Sequence, residues 1–143
     1  MIPDDLRWLV EKQLGHVHRR DRAKAERALA ELGIHADSEF AQFFRDYAIT
    51  LFGSDVSNEE LVDIAEPTFR IAAGTRFVQE VWELPERYIC FTSCQGEGGY
   101  LYDKESGAVF DFSLATRDAF VEGLEPARWG SFFEFMCWYL GGE

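Results

Sequence analysis

The cysteines and histidines are the residues of this sequence that could hold a metal ion, and their spacing argues against such a site. Cys90 and Cys94 are separated by three residues, whereas the common zinc motifs leave two. On a strand the two thiols would project from one face, too far apart to clasp one ion. His16 and His18 would lie about 200° apart on a helix, and His35 stands alone. We therefore expect reduced, buried thiols, histidines in solvent or in capping positions, and no metal site.

Nucleophilic catalysis requires a serine or cysteine that is activated by a base and an orienting group. All three histidines lie before residue 36, a Gly-x-Ser-x-Gly elbow is absent, and no cysteine lies among basic residues that would activate it. The 26 acidic residues include no pair whose spacing marks it out for general acid and base work. No catalytic residue is therefore assigned, and a carboxylate-dependent hydrolase stays open as an alternative.

The stretch Gly96-Glu97-Gly98-Gly99 superficially resembles a phosphate-binding loop. The Lys-Ser/Thr pair that follows such loops is missing, and Glu97 would place a carboxylate where the anion should sit. A tight connection between two strands accounts for the glycines better. We therefore expect no nucleotide and no other cofactor.

Negative charge is concentrated in the last three quarters of the chain. The formal net charge is −12 at pH 7, and residues 36–143 carry nearly all of the excess. Such a field repels nucleic acid and anionic membranes, and it accelerates the encounter with a basic partner. The same acidity would also serve solubility alone.

Length and composition predict one globular domain over residues 1–143. A hydrophobic fraction of 47% supplies a substantial core without metal or disulfide staples. No apolar run approaches the roughly 18 to 20 residues that cross a bilayer, and the start of the chain lacks the features of a signal peptide. We therefore expect a cytoplasmic protein.

Three helices are predicted in the first third of the chain. The first begins at Pro3 and ends at Gly15, and the second covers residues 21–32, which are strong helix formers. The third begins at Asp37 or Ser38, because either side chain can cap it. It is expected to bury Phe40, Phe43, Phe44 and Tyr47.

The middle of the chain is predicted to hold a short strand and a fourth helix. Residues 61–64 favour the strand, although the start of a longer helix also fits them. The helix is expected to begin at Pro67, and its apolar residues recur at every third or fourth position. The residues expected on its buried face are Phe69, Ala73, Phe77, Val81 and Leu84.

After Pro85 the apolar pattern changes to a period of two, which is typical of strands. Residues 87–94, 99–103 and 108–112 are predicted to form an antiparallel meander with a hairpin turn at Gly107. The chain then becomes helical again. These elements indicate an α+β fold, in which a twisted, mainly antiparallel sheet packs against N-terminal and C-terminal helices.

The last helix is predicted over about residues 131–140, and it is apolar on nearly all sides. Ser131 and Glu134 form a capping box in which each side chain is expected to accept the other residue's backbone N–H. We expect this helix to lie against the sheet.

Two stretches of the chain resemble the SUKH superfamily. They are ERYICFTSCQGEGGYLYDKESGAVFDF and, after a gap, WGSFFEFMCWYL, and DSEFAQFFRDYAI is similar to an earlier helix of that family. Its members share a Gly-rich turn, a Tyr-x-Tyr-Asp strand, a Gly-Val hairpin return and a final Ser-Phe-x-x-Phe helix. The matching positions here are Gly98, Gly99, Tyr100, Tyr102, Asp103, Gly107, Val109, Ser131, Phe132 and Phe135.

The resemblance covers about residues 37–140 and implies a SUKH-like fold and function by binding. Many bacterial members are immunity proteins that neutralise a cognate toxin, often a nuclease or another enzyme that acts in the cytoplasm. The implied partner is a toxin protein, and the acidic field favours a basic one. The first alternative is a regulatory protein-interaction module without a toxin partner.

The hairpin supplies the candidate partner-binding residues. Strict alternation along both strands places Tyr100, Tyr102, Ala108, Phe110 and Phe112 on one face, which is expected to enter the core. The other face would present two carboxylates beside two aliphatic side chains, although an ordinary solvated sheet face has the same composition. The predicted partner-binding residues are Leu101, Asp103, Val109 and Asp111 on that face, with Glu97 and Glu105 at the turns.

Overall fold

The computed structural model describes residues 1–66, 69–93 and 96–142, which form an α+β fold with six α-helices and one three-stranded antiparallel sheet. The predicted α+β class is confirmed. A short 3-10 turn at Leu114–Thr116 precedes the fifth helix. The elements in chain order are α1 (Asp4–Glu11), α2 (Arg22–Glu31), α3 (Glu39–Asp46), α4 (Arg70–Glu80), β1 (Tyr88–Cys90), β2 (Gly98–Asp103), β3 (Val109–Ser113), α5 (Arg117–Val121) and α6 (Phe132–Gly141).

The first helix, α1, follows Pro3 as predicted but ends at Glu11, before the predicted end at Gly15. The next two helices, α2 and α3, begin where polar side chains satisfy free backbone donors. Asp21 Oδ1 accepts a hydrogen bond from the backbone N–H of Lys24 at 3.0 Å, and Ser38 Oγ accepts one from Ala41 at 3.1 Å. The predicted helices over these segments are therefore confirmed. The four aromatic residues expected to be buried by α3 are all in the core.

The predicted strand over residues 61–64 is reduced to one antiparallel bridge between Leu61 and Thr92. The physical reason lies in Asp63, whose carboxylate accepts hydrogen bonds from the backbone N–H groups of Ala65 and Glu66 at 3.0 and 2.8 Å. These bonds turn the chain away from the sheet directly after the bridge.

The fourth helix is present, but its predicted buried face is wrong. Phe69, Ala73, Phe77 and Val81 are exposed, and only Leu84 of the predicted set is buried. The face that packs on the sheet carries Ile71, Thr75 and Val78. Thr75 accounts for this orientation of α4, since its hydroxyl accepts the backbone N–H of Cys90 in β1 at 3.0 Å. The predicted start at Pro67 lies outside the described residues.

The sheet is the predicted meander in the order β1-β2-β3, and its two faces carry different helices. One face packs in a cluster with α1, α2, α3 and α6, and it includes Ile89, Tyr102 and Val109. The other face packs with the C-terminal end of α4 and with α5, and it includes Cys90 and Leu101. The helices α4 and α5 thus cover Leu101, which the prediction had left to solvent.

The hairpin register differs from the predicted alternation. Tyr100 pairs with Asp111 and Tyr102 pairs with Val109, so these residues share one face. The turn causes the difference, because the loop 104–107 has four residues and therefore pairs odd-numbered with even-numbered positions. Gly107 closes this loop with a φ of +82°, as its position predicted.

The capping box of α6 is only partly as predicted. Ser131 Oγ accepts the backbone N–H of Glu134 at 3.2 Å, but the Glu134 carboxylate accepts the N–H of Gly130 at 2.7 Å. Glu134 thus reaches one residue further back along the chain than expected. None of the described helices is long and apolar enough to cross a membrane.

Candidate partner-binding surface

The six predicted partner-binding residues fall into a buried group and an exposed group. Leu101 and Val109 are 0% exposed and lie on opposite faces of the sheet, and Asp103 is 2% exposed. The predicted exposed face made of these residues is therefore wrong, because helices cover both sides of β2. The exposed members are Glu97, Glu105 and Asp111.

Asp103 has a structural role at the turn of the hairpin. Arg87 donates to its two carboxylate oxygens at 3.0 and 2.6 Å, the backbone N–H of Glu105 donates at 2.9 Å, and the hydroxyl of Ser106 donates at 2.8 Å. Burial opposes ionisation of Asp103, but these donors outweigh it and lower the pKa of the carboxyl group. The carboxylate thus holds the turn and is not free for a partner.

Asp111 belongs to a cluster that the sequence did not reveal, in which Asp111 and Arg128 are exposed and Trp129 is buried at 6% exposure. Its Oδ2 lies 2.8 Å from Nη1 of Arg128, and both side chains are about half exposed. The Arg128 guanidinium also lies over two indole rings, 4.6 Å from the Trp129 centroid and 4.7 Å from that of Trp138. An arginine held by a carboxylate and two aromatic rings keeps one orientation at the surface.

Backbone pairing along the outer edge of β3 positions this cluster. Val109 donates its N–H to the Trp129 carbonyl at 2.9 Å and accepts the Trp129 N–H at 3.1 Å. This bridge brings Arg128 beside Asp111, seventeen residues earlier in the chain. Trp138 reaches the same place from the outward face of α6.

Glu59 brings a second carboxylate to the cluster. Burial first, and then the nearby charge of Asp111, raise the pKa of Glu59. The segment is anchored by Ser57, whose hydroxyl hydrogen-bonds that of Tyr100, and by Tyr139, whose hydroxyl donates to the Glu59 carbonyl at 2.7 Å. We refer to Glu59, Asp111, Arg128, Trp129 and Trp138 together as the Arg128 surface.

Comparisons with family models, with curated proteins and with solved structures each found no match. The geometry of the Arg128 surface therefore carries the functional argument, together with the residues that prompted the resemblance. Tryptophan and arginine are the residue types that most often supply the binding energy of protein interfaces. Two carboxylates beside them add complementarity to a basic partner.

The described cysteines and histidines are not grouped for metal chemistry. Within residues 1–66, 69–93 and 96–142, no three His, Cys, Asp or Glu side chains are grouped so that they could hold a metal ion. Cys90 is buried, whereas Cys94 lies outside the described residues, so the predicted behaviour of that pair is untested. His35 Nδ1 accepts the backbone N–H of Asp37 at 3.1 Å, which is a local contact of the capping kind.

Four members of the Arg128 surface were missed by sequence reasoning. They are separated from Asp111 by many residues, and no partner-binding role was predicted for any of them: Glu59, Arg128, Trp129 and Trp138. The only available signal was the four-residue turn at 104–107, which already determines that Asp111 shares a face with Tyr100. That face lies against α6, the helix that carries Trp138.

Proposed function

We propose that this protein binds a basic partner protein through the Arg128 surface, and that the partner is a toxin which it neutralises as an immunity protein. The observation that carries the proposal is an exposed arginine that lies over two adjacent indole rings and pairs with a carboxylate. A surface that is already ordered loses little conformational entropy on binding. It is therefore suited to recognition of another protein.

The charges around the Arg128 surface favour a partner with lysine or arginine side chains. Glu59 and Asp111 repel each other, and partial burial adds to the cost of the charge on Glu59. A partner cation beside the two carboxylates would relieve that repulsion, and a net charge of −12 would attract the partner over a longer range.

The identification of the partner as a toxin rests on the resemblance of residues 37–140 to the SUKH superfamily. In that reading the protein acts in the cytoplasm, makes and breaks no bonds with its own side chains, and occludes the functional surface of the toxin. The hairpin positions that carry the resemblance hold the fold, whereas the Arg128 surface beside them is available to a partner.

The proposal is tested by coexpression with the product of the adjacent upstream gene and by affinity measurements on the purified pair. Coexpression of this protein should restore growth to cells in which the upstream gene product inhibits growth. Replacing the two carboxylates, Glu59→Lys/Asp111→Lys, should weaken binding about 30-fold or more at low salt, because a partner cation would then face like charges. The single variant Asp111→Lys serves if the double variant melts at a lower temperature.

A matched control is Glu26→Lys/Glu80→Lys, which reverses two exposed charges on α2 and α4. It changes the net charge by the same amount as Glu59→Lys/Asp111→Lys, and it should leave the affinity within a few-fold of the wild-type value. Equal weakening by both pairs would show that the Arg128 surface is not the contact. Binding to an upstream gene product that does not inhibit growth would favour the regulatory module. Turnover of a substrate by the purified protein alone would favour the hydrolase.

A further inference from the structure

A groove of about 710 Å³ lies between α1 and α6, at a distance in sequence from the predicted site. Its walls combine a large aromatic side chain, an aliphatic side chain and two carboxylates, and its α6 side includes two small residues. The lining residues are Asp5, Trp8, Leu9, Glu134, Cys137 and Gly141. We refer to it as the α1–α6 groove.

Trp8 is the most unusual residue of the groove. It is 65% exposed, although burial of an indole on the core is normally favourable. Lys12 lies over its ring at 4.3 Å from the centroid, which steadies the side chain without covering it. An exposed tryptophan on the wall of a groove is typical of a binding anchor.

The small residues of α6 leave the groove open. Gly141 has no side chain, and a Cβ at that position would lie 3.3 Å from Cδ1 of Leu9. Cys137 is only partly buried and leaves room above it. The space beside Trp8 and Leu9 can therefore accept an apolar side chain from another molecule.

The charged residues that line the α1–α6 groove are both acidic, although Lys12 lies beside it over Trp8. Asp5 and Glu134 line it, and burial together with the charges of Asp5 and Glu39 raises the pKa of the Cys137 thiol. An apolar group that carries a cation beside it would thus match both the walls and the charge. An anionic or purely apolar group would match only part of the groove.

The α1–α6 groove and the Arg128 surface both include residues of α6. Glu134, Cys137, Trp138 and Gly141 follow the spacing of one helical face, and none of them is fully buried. Cys137 and Gly141 line the groove, whereas Trp138 packs on Arg128. A partner seated on α6 would therefore reach both.

We infer that the α1–α6 groove receives a large apolar side chain of a partner protein, flanked in that partner by lysine or arginine. The inference rests on the proposed function in that the same partner is expected to cover both surfaces. A second copy of this chain fits less well, since it would bring two acidic grooves and two molecules of net charge −12 together.

The test uses the full chain and a synthetic amphipathic helical peptide in which leucine recurs at every third or fourth position among lysines. Two comparison peptides replace all lysines by glutamate or all leucines by serine. Amide NMR spectra of the protein should shift at α1 and α6 with the first peptide only. Shifts confined to other elements, or equal binding of the serine peptide, would overturn the inference.

Two groove variants sharpen the test. Trp8→Ala should weaken binding of the lysine-leucine peptide roughly tenfold or more, because it removes the aromatic wall of the groove. Asp5→Asn/Glu134→Gln should weaken it several-fold and reduce its salt dependence, and it retains acceptor atoms for the N–H groups of Leu6 and Gly130. The matched controls are Leu124→Ala, which truncates a 70% exposed apolar residue elsewhere, and Glu26→Gln/Glu80→Gln.

The experiments distinguish failure of the groove inference from failure of the proposed function. If the upstream gene product binds but Trp8→Ala leaves its affinity unchanged, the groove inference is wrong and the proposed function stands. If that product does not bind while the peptide does so in the groove, the proposed function fails and the groove inference stands. A concentration-dependent dimer that Trp8→Ala abolishes would identify a second copy as the occupant and overturn the inference.

Discussion

At the scale of single residues, burial separates the acids that hold the fold from those that remain available to a partner. Asp63 accepts two hydrogen bonds from Arg19, at 2.8 and 2.9 Å, and three from backbone N–H groups, and both side chains of this ion pair are 1% exposed. Such a pair stabilises the fold only while it is complete. Asp111 differs, because half of its side chain faces solvent.

Asp103 gives a prediction that depends on pH. Asp103→Asn should lower the free energy of unfolding by about 2–3 kcal/mol at pH 7, because three donors lose a charged acceptor while the partly exposed Arg87 regains water. The folded pKa of Asp103 lies below the ordinary value of 3.8, so its contribution is present above that pH and is lost as the pH falls through the folded pKa.

Urea unfolding of both proteins at pH 7 and below pH 3.8 measures this effect. The difference between wild type and Asp103→Asn should shrink in acid. Asp111→Asn is the matched control, and its cost should stay below about 1 kcal/mol because the pair with Arg128 is exposed. A difference for Asp103→Asn that is the same at both pH values would contradict the assigned role of the carboxylate.

At the scale of elements, the glycines of β2 are required by packing and not by ligand binding. A Cβ at Gly98 would lie 2.4 Å from the carbonyl oxygen of Phe112 in β3. A Cβ at Gly99 would lie 2.7 Å from Oγ1 of Thr92, a side-chain atom that has more freedom to move. The prediction that residues 96–99 connect two strands is wrong for Gly98 and Gly99, which belong to β2 and pair with β3.

Gly98→Ala should lower the free energy of unfolding by about 2–3 kcal/mol, because the contact atom belongs to the backbone of the paired strand and cannot rotate away. Gly53→Ala is the matched control. No atom lies within 4 Å of a Cβ at that position, so the change should be neutral or stabilise the protein by up to about 1 kcal/mol. Thermal or urea unfolding of the two variants that gives equal stability would refute the steric argument.

At the scale of the whole molecule, a net charge of −12 acts on a partner before any contact forms. Screening limits this attraction to about 10 Å at 0.1 M salt, so it affects the association rate more than the lifetime of the complex. The Arg128 surface and the α1–α6 groove both contain carboxylates, so the long-range field and the local contacts favour the same kind of partner.

The association rate constant with the upstream gene product should therefore fall about tenfold or more between low salt and about 0.5 M salt, and the dissociation rate constant should change less. Stopped-flow measurement over a salt series gives both constants. Glu26→Lys/Glu80→Lys should reduce the dependence of the association rate constant on salt, since it makes the net charge less negative at positions away from the contact. An association rate constant that does not respond to salt would rule out electrostatic attraction as the source of encounter.

The types and order of the elements were predictable from the sequence because their signals are local. Ser38 caps α3, Gly107 closes the hairpin loop, and the alternation after Pro85 yields strands, and each of these depends on neighbours within a few residues. The α+β class followed from their order. The turn length would also have predicted the correct hairpin faces if it had been combined with the alternation.

Tertiary structure decided which side chains are covered, because burial depends on residues that are far apart in the chain. Thr75 turned α4 toward β1, helices on both sides of the sheet buried Asp103 and Val109, and the bridge to Trp129 placed Arg128 beside Asp111. The sequence by itself determined that the chain is acidic and which local elements it forms. The folded structure alone determined which of its acids stay exposed and which arginine and tryptophan residues meet beside them.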